Sequence, residues 1–343
     1  MKRLISIFVA IVALLSTTGC DSFRSLTGTK KTSQGSPYEV LVVCDGREWE
    51  SALGTELKAL LETPVEMLNQ TEPMFNVVRI TARDFKHLLP SYRNILKVLC
   101  SPDVAETSIV AQYDVVASPQ IVLTFQGPSI EAMIDYLKAN GASLLQVLEI
   151  AERNRTIEYA KKQGAKALEK IIEKTFEVDM NIPNGYLFRA ESEDFVWASN
   201  EYPVASQGFF IYTHPFKGRS STSTEALVKA RNEFAKRIPG PTDGSYMTTV
   251  KRVPNIDDNG YTNFLPQRKV VRINGRDWVE LRGFWEVKND FMGGPFVSYT
   301  TLDERTSKLF TLDCYVYSPK YGKRNFLRPL EHLVYCVEFP TNK

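Results

Sequence analysis

Histidine is scarce in this chain: His87, His214 and His332 are the three in 343 residues, and they lie far apart. There is no HExxH, GxSxG, GxxxxGK[ST] or GxGxxG, so zinc-hydrolase, serine-hydrolase, P-loop and dinucleotide chemistry have no sequence foothold. No CxxC pair occurs among the five cysteines, which removes the usual zinc-ligand spacing. Charge of one sign is missing too. Lys and Arg number 42 against 40 acids. The first nineteen residues carry Lys2, Arg3 and no acid, so the remainder balances at zero. Such a chain has no global field for nucleic acid. No internal repeat and no low-complexity segment beyond residue 37 is found. These absences nominate no catalytic residue, no metal and no cofactor.

What is present begins at the N-terminus. Lys2 and Arg3 precede the uncharged run Leu4–Leu15, the plan of a secretory signal. That run is too short for a spanning helix, which needs ~20 apolar residues. Ser16-Thr17-Thr18-Gly19-Cys20 follows and resembles the lipobox of bacterial lipoproteins, with Thr17 where leucine is usual. The resemblance implies cleavage before Cys20 and acylation of it; two or more acyl chains make such anchoring stable. An ordinary cleaved signal is the alternative. Asp21–Pro37 is polar and poor in large apolar groups, so it reads as a disordered tether.

Five segments result: a signal (1–19), a lipidated tether (20–37), an α/β domain (38–141), a helical bridge (142–176) and an α+β domain (177–343). In the first domain the strand-like runs Tyr38–Cys44, Phe75–Ile80, Asn94–Cys100 and Ile121–Phe125 alternate with helical patterns, one of them starting at Thr81 with Asp84 as a capping partner. That alternation predicts a mainly parallel sheet with helices on its faces. A helix capped by Ser129 is read as stopping at Asn140-Gly141, and Gly164 kinks or splits the bridge. Beyond Phe176, strand-like runs follow one another. Asn274-Gly275 between VVRI and RDWVEL is the strongest hairpin signal, and a largely antiparallel sheet is predicted.

The lipobox, VLVVCDGREW at Val40–Trp49, TEPMFNVV at Thr71–Val78 and Arg93-Asn94-Ile95 resemble an uncharacterised family of Gram-negative envelope lipoproteins. The resemblance implies location and fold continuity, and brings no activity or catalytic residue with it.

Candidate sites are few. Asp45 follows the first strand, where open α/β sheets bind ligands, and Trp49 is one helical turn on. The competing reading makes Asp45 a helix cap and Trp49 core. Lys323, Arg324 and Arg328, with Lys320, Tyr321 and Phe326 among them, form a basic-aromatic cluster suited to an anion at a helix start, or else a solvated face. Asn255–Gly260 imitates half a calcium loop, but Pro266 stands where a bidentate glutamate is needed. Cys314 and Cys336 are read on neighbouring strands, as a disulfide or as buried thiols. The chain is therefore expected to be a lipid-anchored cell-envelope protein, a binding or scaffold module facing the periplasm. The outer membrane is favoured over the inner, with the membrane and an envelope protein or glycan as partners. The rival is an envelope hydrolase with an acid-based site near Asp45.

Overall fold

The computed structural model describes residues 30–254 and 260–340. They divide into two compact units, the first holding 30–61 and Phe75–Ala151, the second Glu62–Met74 and 152–340.

In the first unit, β1 (Lys31–Thr32) precedes β2 (Glu39–Val43), α1 (Gly46–Trp49), α2 (Ala52–Leu61), β3 (Asn76–Ile80), β4 (Asn94–Cys100), β5 (Ser108–Tyr113), β6 (Ala117–Ser118) and β7 (Ile121–Gly127). Helix α3 (Ile130–Lys162) starts here and crosses the unit boundary. The sheet order is β3-β2-β4-β7-β5. Leu41, Val43, Ile95 and Val122 bury one face, and Val40 and Val42 the other, as strand alternation requires.

The expectation of an α/β domain with a mainly parallel sheet is corrected here. The sheet is mixed, because β5 runs antiparallel to β7 at its edge. Helices do not alternate with strands either: between β3 and β4 there is a short 3-10 turn, Leu89–Ser91. The Thr81 hydroxyl does bond Asp84, Oγ1 to Oδ2 at 2.6 Å, but no helix propagates from it. His87 takes φ +58°, a left-handed conformation that ends any helical run. Ser108–Tyr113, not anticipated as a strand, is exposed over its last four residues and so lacks a strong hydrophobic alternation. Part of the stretch read as a disordered tether is ordered: Lys31–Thr32 pairs with Ala117–Ser118. Asn140-Gly141 does not stop α3. A Cβ on Gly141 would lie 3.1 Å from the Leu60 methyls, so this glycine permits close packing inside a continuous helix.

The second unit holds the end of α3 and α4 (Lys166–Phe176), β8 (Asp179–Met180), β9 (Leu187–Ser192), β10 (Phe195–Glu201), β11 (Ser206–Pro215) and α5 (Thr224–Ala235). The strands β12 (Tyr246–Thr249), β13 (Arg252–Pro254), β14 (Tyr261–Asn263), β15 (Gln267–Ile273), β16 (Arg276–Lys288), β17 (Gly293–Asp303) and β18 (Lys308–Tyr317) follow. Helix α6 (Arg324–Glu331), a 3-10 turn (His332–Cys336) and β19 (Val337–Glu338) end the described chain.

Its main sheet runs β12-β16-β17-β18-β11-β10-β9, with β15 also on β16, every ladder antiparallel. It curls into a half-barrel, and the chain as a whole is mostly β, in place of the expected α/β and α+β pair. The Asn274-Gly275 hairpin forms between β15 and β16, both turn residues at positive φ. Both sheet faces are covered. Phe209, Ile211, Phe310 and Leu312 pack with Leu168, Ile172, Leu327 and Leu330 of α4 and α6. Phe210, Tyr212, Phe296 and Tyr315 pack with Leu227 and Phe234 of α5.

Candidate ligand pocket

Cys20 and the calcium-like segment Asn255–Asn259 lie outside the described residues. Asp45 precedes α1 but makes no side-chain cap; its Oδ1 accepts from the Ala82 N–H at 3.0 Å. The carboxylate thus tethers the chain after β3. Trp49 is half-buried at the end of α1. Neighbouring Cys44 is buried, and burial, with help from Glu48, pushes its thiol up to about 12. Burial of this kind favours the protonated thiol over the nucleophilic thiolate.

The basic cluster is arranged around an anion from the chain itself. Glu72 accepts from the backbone N–H of Lys323 at 2.6 Å and of Arg324 at 3.1 Å. A carboxylate therefore occupies the start of α6, where free amides favour negative charge. Arg324 Nη1 donates to the Pro73 carbonyl at 2.6 Å and Arg328 Nη1 to Glu331 at 2.8 Å. Cys314 and Cys336 are free and buried, and the proposed bridge is absent. Cys336 closes the 3-10 turn rather than standing in a strand, so the register that motivated the bridge does not exist.

The sheet face that packs against α5 holds what sequence inspection missed. A cavity of about 620 Å³ is lined by Trp197 and Glu201 of β10, Met247 of β12, Trp285 and Val287 of β16, and Tyr315 and Tyr317 of β18. Three loop segments complete it: Tyr202–Ala205, Ile238–Pro241 and Pro319–Tyr321. The volume falls in the ~300–1,000 Å³ range of small-molecule sites.

Its origin is a cross-strand pattern of large and small residues. One row reads Gly283, Phe296, Tyr315, Gly208, Ser199. In the next, Trp285 faces Gly294, and Tyr317 faces Ser206, which faces Glu201. A Cβ on Gly208 would sit 2.5 Å from the Tyr315 ring, and one on Gly294 2.0 Å from the Val316 carbonyl. The glycines let the aromatic rings lie across neighbouring strands instead of standing upright. Trp285 Nε1 then reaches the Val316 carbonyl at 3.2 Å, and Trp197 Nε1 donates to the Tyr315 hydroxyl at 2.8 Å. Trp285 meets Tyr315 edge-on, centroids 5.6 Å apart. Glycine inside a strand beside Trp or Tyr was the available signal, because such glycines mark close approach.

Two buried ionic groups brace the two faces of the sheet. On the α5 side, Arg231 and Asp313 have fully buried side chains. Arg231 donates from Nε at 2.8 Å and Nη2 at 3.1 Å to the carboxylate, and from Nη1 to Thr249 at 3.0 Å. Its guanidinium lies 3.8 Å from the centroid of Phe296. On the α6 side, Arg282 bonds Glu280 at 2.8 Å and Glu331 at 2.7 Å. Burial alone would raise the Glu331 carboxyl, but Arg282 and Arg328 outweigh it and hold it at about 2. Burial, reinforced by Arg328, depresses neighbouring His332 to about 3, leaving a neutral ring against Thr156 at 2.9 Å. These groups are internal bracing. Among the described residues no cluster of His, Cys, Asp and Glu suits a metal ion.

Fold and cavity together define a mostly β protein with an aromatic-lined cavity on a curled antiparallel sheet. The chain belongs to the family described as Domain of unknown function (DUF4837), matched over residues 165–336. A second, Domain of unknown function (DUF8532), matches residues 33–161. No curated protein matches. Among solved structures, the human StarD13 (DLC2) lipid transfer and protein localization domain is similar at 10% identity and a TM-score of 0.20, over 50% of this chain and 90% of that one. Human STARD10 matches at 7% and 0.22, over 50% and 79%. Human StAR-related lipid transfer protein 5 matches at 11% and 0.23, over 54% and 95%. Nothing about this chain's fold or ligand follows from TM-scores so low.

Proposed function

We propose that this chain is a bacterial envelope lipoprotein, anchored through Cys20 and facing the periplasm, that binds an apolar or amphiphilic small molecule in the half-barrel pocket. It acts by holding the ligand, not by turning it over. The observation that carries the binding reading is the lining itself. Six aromatic residues, with methionines, prolines and aliphatic groups, surround the cavity, and the charged side chains there are Glu201 and Lys320. An apolar ligand gains from such walls through burial of its own surface. The anchor rests on the signal-like leader and the small residues before Cys20. The Asp45 hydrolase reading has no comparable support, since that carboxylate is engaged by the Ala82 amide.

The test is titration of the purified protein with N-phenylnaphthylamine, following quenching of Trp197 and Trp285. Saturable binding of one probe per chain is expected, and Met292→Trp, which fills the cavity from its turn, should abolish it without lowering thermal stability. No saturable binding to folded protein would end this reading.

A further inference from the structure

The pocket has a polar corner, and its hydrogen-bond directions are fixed. An indole N–H can only donate, so in the Trp197–Tyr315 pair the phenol oxygen is the acceptor. The Tyr315 proton must then point elsewhere, and no described side chain or carbonyl receives it. Tyr315 is 4% exposed and lines the cavity. Burial pushes its phenol up, so it remains a donor across the physiological range. A buried hydroxyl proton without an acceptor is costly, so it is satisfied by water in the cavity or by a ligand that replaces that water.

Beside it stands Glu201. Its Oε1 accepts from the buried Ser199 hydroxyl at 2.9 Å and lies 3.7 Å from Arg189 Nη2. Oε2 has no partner among the described residues. The corner thus offers one hydrogen to give and one carboxylate oxygen to receive. Arg189 already faces Glu201, and Lys320 is exposed on its loop, so the corner offers a head group no fixed net charge. A charged head therefore gains no fixed ion pair there, whereas a hydroxyl can meet both groups.

We propose that the ligand is an amphiphile with a neutral, hydroxyl-bearing head, whose oxygen accepts from Tyr315 and whose hydrogen goes to Glu201 while its apolar body lies against Trp285, Met247 and Val287. This rests on the pocket reading above and narrows it to a ligand class.

The experiment compares three probes with the same ten-carbon chain: decyl glucoside, decanoate and decyltrimethylammonium, each titrated as monomers below micelle formation. Decyl glucoside should bind about tenfold more tightly than either charged probe, the gain from its hydrogen bonds at Tyr315 and Glu201. Tyr315→Phe and Glu201→Ala should each erase most of that preference, read as the ratio of decyl glucoside to decanoate affinity within one variant, so that a general loss of pocket affinity cancels. Equal affinity for all three heads, or a preference that survives both substitutions, would overturn the hydroxyl-head assignment while the pocket reading stands. Tighter binding of the ammonium probe that Glu201→Ala removes would replace it with a cation site. If none of the three binds and N-phenylnaphthylamine does not either, the pocket reading itself fails.

Discussion

Arg231 and Asp313 decide more at the residue scale than their number suggests. Two buried charges are tolerable because each satisfies the other in a forked geometry, with Thr249 and the Phe296 face taking the rest of the guanidinium. Asp313→Ala should cost about 3–5 kcal/mol in urea unfolding, since it strands a buried cation. A double Arg231→Met, Asp313→Leu variant should recover most of that loss, because no charge then needs burying. A second residue-scale prediction concerns acid. His332 falls from 6.5 to about 3 and Glu331 from 4.5 to about 2 on folding. Both native values are depressed, so the unfolded chain takes up protons first. Their stabilisation is complete above pH 6.5 and is lost as pH falls, His332 acting between 6.5 and about 3 and Glu331 between 4.5 and about 2. His332 alone accounts for at most roughly 5 kcal/mol across its window. Asp313 works the other way, because burial raises its carboxyl from 3.8 to about 6, so it adds stability as pH falls between those values and offsets the loss there. The urea midpoint of His332→Gln, which keeps a partner for Thr156, should therefore slope downward less than the wild type's between pH 6.5 and 4.5. An unchanged slope in that variant would exclude His332 as its source.

Among the elements, the strands β11 and β17 matter to the pocket through what they lack. Gly208 and Gly294 vacate the space into which Tyr315 and Trp285 lean. Gly208→Ala would place a methyl 2.5 Å from the Tyr315 ring. The ring must tilt, at a cost of about 1–3 kcal/mol for overpacking. Probe affinity should fall more than tenfold, a larger relative effect than the loss of stability. Equal binding by that variant would show that Tyr315 does not shape the cavity. The same elements explain what the sequence disclosed. Local signals were legible: Val40–Val43 forms a buried strand, Ser129 caps α3 by accepting from Ala132 at 3.2 Å, and Asn274-Gly275 turns its hairpin. Signals whose outcome depends on distant partners were not. Thr81 and Asp84 made the capping bonds of a helix that His87 then prevented. Lys323 and Arg324 were visible as a helix start, but nothing local showed that Glu72, some 250 residues earlier, would fill it. The pocket was least legible, because Trp197, Trp285 and Tyr315 meet only after five strands take their register.

For the whole molecule, the link between anchor and pocket is a matter of reach and independence. Strand β1 holds Lys31–Thr32 against β6, and the ten residues 21–30 separate Cys20 from it in the sequence. Even fully extended, ten residues span at most about 35 Å, so an acylated Cys20 would keep the first unit within that distance of the bilayer surface. No helix among the described residues is long and apolar enough to cross a membrane. The pocket belongs wholly to the second unit, and every residue that lines it lies beyond Glu152. Attachment and ligand binding should therefore separate cleanly. In cells, Cys20→Ala should abolish incorporation of a clickable fatty-acid analogue and move the protein from the membrane fraction to the soluble one. The purified variant should bind N-phenylnaphthylamine with the wild-type affinity, since no lining residue has changed. Equal fatty-acid labelling of wild type and variant would refute the anchor and leave the pocket untouched. A variant that loses the membrane and the probe together would instead show that the two units are coupled, and that lipid attachment contributes to the binding-competent state.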